Sequence, residues 1–101
     1  MFSVVSSAVA GTKIQTDFTI KDIETAWGKN GYVIRVNEVA SQNPLGCNQT
    51  GFRLKTEDNS MHNEILSIAL SAMHTGSRVR FYVEDSCREN RHMIIAIQIV
   101  K

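Results

Sequence analysis

Two cysteines, Cys47 and Cys87, carry the most reactive side chains of this sequence, and they lie 40 residues apart. Zinc sites and thioredoxin-like redox sites use closely spaced cysteine pairs, and the sequence contains no such pair. In a small exported domain, two cysteines predict a disulfide. Closing a loop of this length would stabilise the fold by roughly 3–4 kcal/mol. Two separate buried thiols are the alternative.

The three histidines do not form a recognisable catalytic or metal site. His62 and Glu64 are two residues apart in a predicted helix, where side chains at that spacing point in different directions. The sequence also has no G-x-S-x-G motif, no phosphate-binding loop and no dinucleotide-binding glycine pattern. We therefore interpret His62, His74 and His92 as solvated surface residues, and we expect no enzyme activity, no catalytic residue, no metal and no cofactor.

Basic and aromatic side chains are the remaining candidates for binding. The predicted outward positions of the middle strands are basic, namely Arg35, Arg53, Lys55, Arg78 and Arg80. A formal net charge of only +1 does not suit a dedicated nucleic-acid-binding protein. We predict a site for a glycan or a protein ligand at Trp27, Tyr32, Arg53, Arg80 and Tyr82. Without a ligand, the basic residues would form a solvated face and Trp27 would cap one end of the fold.

Binding of single-stranded nucleic acid is the alternative function. It would place basic side chains on the phosphates and stack Tyr82 on a base. The cations would be Arg35, Arg53, Lys55 and Arg80.

The first ten residues, MFSVVSSAVA, are small and apolar and end in Ala-Val-Ala, as at a secretory cleavage site. We interpret residues 1–10 as the end of a signal peptide, with a short strand or a disordered leader as the alternative. Residues 11–101 then form a single domain, since a chain of 101 residues with 43% hydrophobic residues supports one small core. No apolar run approaches the roughly 18–20 residues of a membrane span. We predict a periplasmic or secreted protein.

Alternating apolar residues predict five strands, over residues 13–20, 32–37, 52–55, 78–84 and 93–100. The alternation slips by one residue after Asp22, which predicts a bulge or a bend there. Residues 85–90 are polar and predict a loop that carries Cys87. The fifth strand is apolar on both faces, which places it either in the centre under a helix or in a subunit interface.

Residues 61–73 carry apolar side chains at three- and four-residue spacing, which predicts an amphipathic helix. Residues 57–60 supply N-cap candidates, and Gly76 is expected to end the helix. The order of three strands, one helix and two strands is that of the OB-fold, a five-stranded Greek-key barrel. We therefore predict a mainly β OB-fold-like barrel with one helix between strands three and four. A helix packed across an open five-stranded sheet would have the same order.

Residues 65–87, ILSIALSAMHTGSRVRFYVEDSC, resemble the helix-turn-strand segment of the B subunits of subtilase cytotoxin and typhoid toxin. In both, a helix ends in a Thr-Gly turn and enters a strand with a Val-Arg-aromatic-Tyr run, here residues 79–82. The Asn-Pro-x-Gly-Cys stretch at residues 43–47 is similar to that of small exported bacterial proteins of unknown role. The toxin resemblance implies an exported OB-fold domain that assembles into rings and binds glycans. A sugar-binding tyrosine of the toxin subunit corresponds to Val83 here.

These features together predict a non-enzymatic, exported, disulfide-linked domain that acts as a binding or assembly module. Its expected partners are a glycan or another protein, and a homo-oligomer would form through the apolar fifth strand. Nucleic acid is the partner of the alternative function only.

Overall fold

The computed structural model describes residues 11–25, 31–40, 46–55, 60–88 and 90–100. The predicted signal segment, residues 1–10, and Trp27 lie outside these ranges. Within them the chain is mainly β, as predicted, and the helix separates two groups of strands. The elements are β1 (Gly11–Lys13), β2 (Ile20–Thr25), β3 (Gly31–Val36), β4 (Asn48–Lys55), α1 (His62–Thr75), β5 (Arg78–Arg88) and β6 (Arg91–Val100).

The strands form one six-stranded mixed sheet in the order β1-β5-β6-β4-β3-β2. Neighbouring strands are antiparallel except β4 and β6, which are parallel. The apolar strand β6 lies in the middle of the sheet and contacts α1, which agrees with its prediction as a central strand under the helix. Its residues Met93 and Ile94 point to opposite faces, and both are 2% exposed. The sheet is therefore covered on both sides at this point.

The prediction of a closed five-stranded OB-fold barrel is not confirmed, because the predicted first strand is divided in two. Its N-terminal part, β1, pairs with β5, whereas β2 pairs with β3. Between them, Phe18 forms an isolated bridge with Val79, and a register shift separates Ile20 from Asp22. The register shift lies just before Asp22, whereas the sequence predicts a bulge just after it, and the residues on both sides of the shift pair with β3. The chain changes its partner strand earlier, between Phe18 and Ile20. No ladder between described residues joins β1 to β2, so these strands remain the edges of an open sheet.

The helix α1 follows its predicted bounds closely. Gly76 has a φ of 73° and ends the helix in the left-handed conformation, which costs a glycine little. At the other end, Met61 is the N-cap residue and makes no side-chain capping hydrogen bond, so Ser60 does not act as the predicted cap. With 14 residues, this helix is shorter than the roughly 20 residues that a bilayer crossing requires, and no described helix could span a membrane.

Three fully buried phenylalanines form the centre of the hydrophobic core. The ring centroids of Phe52 and Phe81 are 4.5 Å apart, and Phe18 lies 5.4 Å from the first and 5.6 Å from the second. Of the four predicted inward positions of the first strand, residues 14, 18 and 20 are buried and Thr16 is half-buried. Further members of this core are Ile34, Val36, Ala40, Leu54, Ile65, Ala69, Ala72, Val79, Val83 and Ile94.

The polar loop predicted for residues 85–90 is wrong over most of its length. Strand β5 continues to Arg88 and β6 begins at Arg91, so only residues 89–90 connect them. Asn90 has a φ of 62°, a left-handed conformation that asparagine tolerates in tight turns. Cys87 lies within a strand, in register with His92.

Candidate ligand-binding face

Polar and aromatic side chains from three neighbouring strands share the side of the sheet that faces away from the phenylalanine core. Lys13, Tyr82 and Ala96 lie in one row across β1, β5 and β6, and Arg80 is opposite Gln98 in the next row. Directly opposed residues in antiparallel strands point to the same face. Because the alternate residues of β5 are core members, these five residues form an outward surface, which we call the Tyr82 face.

A shallow depression of about 70 Å³ lies on the Tyr82 face, lined by its five residues together with Phe81 and Ile97. Tyr82 is 46% exposed, so its ring is available to a ligand. Lys13, Gln98 and Arg80, which line the same depression, carry an ammonium group, an amide and a guanidinium. An exposed aromatic ring can stack on a ring-shaped ligand, and neighbouring hydrogen-bonding groups can fix the orientation of that ligand.

The side chain of Arg80, on β5, is held by a residue of another segment of the chain. Its Nε donates a hydrogen bond to the carboxylate of Asp17, which lies on the segment between β1 and β2. This hydrogen bond lowers the pKa of Asp17 and raises that of Arg80, and the charge of Arg78 also favours the ionised carboxylate. Arg80 is therefore a positioned donor at the edge of the depression rather than a long side chain that samples many rotamers.

Gly11 brings β1 close to the neighbouring apolar side chains at one end of this face. A Cβ atom added to Gly11 would lie 2.8 Å from Cδ1 of Ile95 and 3.7 Å from Cδ1 of Tyr82. The missing side chain thus lets Ile95 pack directly on the backbone of the edge strand.

The other predicted ligand-binding residues do not join Tyr82. Tyr32 is half-buried and packs against the hydrophobic core from β3. Strands β3 and β5 are three positions apart in the sheet, which corresponds to about 14 Å in the hydrogen-bonding direction. Trp27 lies outside the described residues. The structure therefore brings together Arg80 and Tyr82 but not the complete predicted set.

The prediction that Arg53 points outward to solvent is wrong, since it is only 3% exposed. Its neighbours across the sheet are Val33 and Met93, both buried, so the outer side of the central strands is itself covered. Burial, and secondarily the charge of Arg91, lowers the pKa of Arg53. Close to Arg53, the guanidinium of Arg91 lies over Gly51, where an added Cβ atom would be 2.1 Å from Nη1 of Arg91, so a larger residue at position 51 would displace this guanidinium.

The arginines proposed for phosphate contacts are either paired with carboxylates or buried. Arg35 forms ion pairs with Asp22 at 3.0 Å and with Glu24 at 2.7 Å. These contacts raise the pKa of Arg35, and they neutralise its charge locally. With Arg80 paired to Asp17 and Arg53 buried, these described arginines do not form a continuous track of exposed cations. The side chain of Lys55 lies outside the described part of the chain.

His92 is fully buried, so its prediction as a solvated surface residue is wrong. Its ring stacks on Phe52, with centroids 5.6 Å apart, and burial lowers the pKa of the imidazole. His74 is exposed, as predicted, and His62 is half-buried. Among the described residues, no group of three histidine, cysteine or acidic side chains could hold a metal ion.

We expect the free energy of unfolding to fall as the pH is lowered from about 8 to about 5 because His92 is buried in its neutral form. With a pKa below that of the unfolded chain, the unfolded state binds more protons below about pH 6.5 and is favoured there. This stability is fully present above that range. Asp17 contributes in a separate, more acidic range, where protonation of its carboxylate removes the interaction with Arg80.

Urea unfolding at a series of pH values measures this effect. His92→Phe retains an aromatic ring on Phe52 but does not titrate, so its stability should change much less between about pH 8 and about pH 5. His74→Gln is the matched control at an exposed position and should keep the wild-type pH dependence. Equal pH dependence in wild type and His92→Phe would contradict the assignment.

The predicted disulfide between Cys47 and Cys87 is present, with the two Cα atoms 5.7 Å apart. It connects the residue before β4 with the distal part of β5, and these two strands flank the start of β6. Such a cross-link is consistent with an oxidising environment. The disulfide lies near the C-terminal end of β5, whereas α1 connects to the N-terminal end of this strand.

Sequence analysis missed Lys13, Ala96 and Gln98 as members of the candidate site. Each is unremarkable alone, and only the register between strands places them beside Tyr82. The available signal was the alternation of β5, because Phe81 and Val83 as inward residues require Arg80 and Tyr82 to point outward. The same alternation buries Val83.

Comparisons of this chain with protein-family models, curated proteins and solved structures find no match. No match links this chain to the toxin B subunits, so the resemblance of residues 65–87 stays a prediction from the sequence. The function has to be inferred from the geometry of the Tyr82 face.

Proposed function

We propose that this chain is an exported, non-enzymatic binding domain that recognises a glycan through the Tyr82 face. The observation that carries the proposal is an exposed tyrosine beside a shallow depression bordered by Gln98, Arg80 and Lys13. The face of an aromatic ring is electron-rich, and the C–H groups on one face of a sugar ring complement it. The surrounding amide and cationic groups then donate hydrogen bonds to the sugar oxygens.

Export is the second part of the proposal, and its support is the Cys47–Cys87 disulfide. Disulfides persist in secreted and periplasmic proteins and are rare in the reducing cytosol. The small-residue pattern of residues 1–10 agrees with a secretory cleavage site.

We further propose that the open sheet is a strongly curled variant of the OB-fold barrel. Phe18 bridges to the outer edge of β5, whereas Ile20, two residues later, pairs along the outer edge of β3. Two residues of extended chain span about 7 Å, but these two edges of a flat six-stranded sheet would be about 24 Å apart. Only a sheet curled toward closure accommodates both pairings, and the position of α1 between β4 and β5 agrees with that fold.

Binding of single-stranded nucleic acid receives less support than glycan binding. Two of its four proposed cations, Arg35 and Arg80, form ion pairs with carboxylates, and Arg53 is buried. Assembly into a homo-oligomer through β6 remains a proposal, with the 43% exposed side chain of Ile99 as its most accessible apolar contact.

Tyr82→Ala is expected to weaken binding to a retained glycan by at least about tenfold, because it removes the stacking surface. A panel of immobilised oligosaccharides identifies the sugar, and calorimetric titration of that sugar measures the dissociation constant. Gln98→Ala should weaken binding as well, through the loss of an amide donor at the rim of the depression.

Leu70→Ala is the matched control, since Leu70 is 45% exposed on α1, away from the Tyr82 face. It should bind the sugar as the wild type does. Unchanged affinity of folded Tyr82→Ala, or failure of the folded wild type to retain any glycan, would refute the proposed site. Salt-sensitive retention of a single-stranded oligonucleotide in place of a sugar would favour the alternative.

A further inference from the structure

The two ends of the disulfide differ strongly in their access to solvent. Cys47 is 2% exposed, whereas Cys87 is an exposed residue in the distal part of β5. Cys47 directly precedes β4, and Cys87 is in register with the buried His92. The cross-link therefore runs from the interior of the domain to its surface.

We propose that Cys87 is a modification site that accepts a mixed disulfide with a low-molecular-weight thiol, while Cys47 acts as the buried leaving and resolving thiol. A thiolate attacks one sulfur of a disulfide from the side opposite the other sulfur. Cys87 is an exposed residue, so a small thiol can approach it from solvent. For Cys47 the attacking thiol would have to enter the packed interior, so exchange proceeds at Cys87.

The first exchange step forms a bond between the sulfur of the incoming thiolate and Sγ of Cys87. The bond between the two protein sulfurs breaks, its electron pair leaves on Sγ of Cys47, and this sulfur takes up a proton from solvent. A buried thiol packs as a small apolar group, so the protein can keep its fold in this state.

The mixed disulfide then has two fates. Attack by Cys47 on Sγ of Cys87 expels the small thiol and restores the original cross-link. Alternatively, a second small thiolate attacks the sulfur of the bound thiol, which releases Cys87 as a thiol and forms a disulfide of the two small molecules. In the second case two small thiols are oxidised, and the protein disulfide is reduced to two thiols.

The test exposes the folded protein to mixtures of reduced and oxidised glutathione, followed by rapid acid quenching. Thiols are then alkylated after unfolding, and peptide mass spectrometry locates glutathione and alkyl groups. We expect glutathione on Cys87 at least about tenfold more often than on Cys47, with the alkyl group of the same molecules on Cys47. Equal labelling, a preference for Cys47, or reduction without any adduct on Cys87 would overturn the proposal.

Two single variants measure the same asymmetry without exchange. In Cys47→Ala the remaining thiol is Cys87, and in Cys87→Ala it is Cys47. Under native conditions iodoacetamide should modify the first at least about tenfold faster than the second, whereas in denaturant the rates should agree. Equal native rates in folded variants would contradict the proposal. Glutathione mapping on the wild type decides the question if either variant does not fold.

Discussion

Replacing both cysteines, Cys47→Ala together with Cys87→Ser, is expected to lower the free energy of unfolding by about 3–4 kcal/mol. The cross-link closes a 40-residue loop, and its removal gives the unfolded chain the conformational freedom that the loop had excluded. For a domain of this size the melting temperature should fall by about 15–25 °C. The unfolded chain would also expose more surface, so the urea dependence of unfolding should become steeper.

The control for this prediction is the wild-type chain itself, oxidised and fully reduced. Since no side chain is replaced, the difference between these two forms isolates the cross-link from changes in packing at the buried Cys47. Urea unfolding followed by circular dichroism measures both forms. A difference below about 1 kcal/mol would mean that other contacts already hold the start of β4 near β5, and that the disulfide is not a principal source of stability.

Phe52→Ala is the single substitution expected to cost most, about 3–5 kcal/mol of unfolding free energy. Phe52 is fully buried, and its ring contacts Phe18, Phe81 and His92. It also lies on β4, which pairs with β3 on one side and with β6 on the other. Removal of the ring leaves a cavity where the segment between β1 and β2, the central strands and the buried histidine meet.

Two variants make the Phe52 measurement specific. Leu70→Ala removes an exposed leucine from α1 and should change stability by no more than about 0.5 kcal/mol. Phe52→Leu keeps an apolar side chain at the site and should cost clearly less than Phe52→Ala. A loss below about 1 kcal/mol for Phe52→Ala would show that the three phenylalanines are not the centre of the core.

The elements of this fold could be predicted where the hydrophobic period was unbroken. The helix and its end at Gly76 follow from apolar spacing and from one glycine, both of which are local properties. The division of the first strand was not predictable, because alternation at residues 14, 18 and 20 records which side is buried and not which strand is the partner. Residues 85–88 belong to β5, although their polarity predicts a loop, because strand pairing does not require apolar side chains.

The candidate site was predictable only in part. The alternation of β5 placed Tyr82 and Arg80 on one face, but Lys13 and Gln98 join them through pairing between distant segments. Arg53 and His92 show the opposite error. Polar residue types predicted exposure, whereas Arg53 lies on the covered outer side of the central strands, His92 stacks on Phe52 of the core, and both side chains are buried.

The sequence by itself determined the mainly β class of the fold and the helix with its glycine end, and it favoured a disulfide between the two cysteines. These depend on local periodicity, on backbone preference and on composition. Only the tertiary structure decided which strands are neighbours, which polar groups are buried and which side chains surround Tyr82. The physical reason is that strand pairing is set by contacts between residues far apart in the chain, and the order of the residues along the chain does not record those contacts.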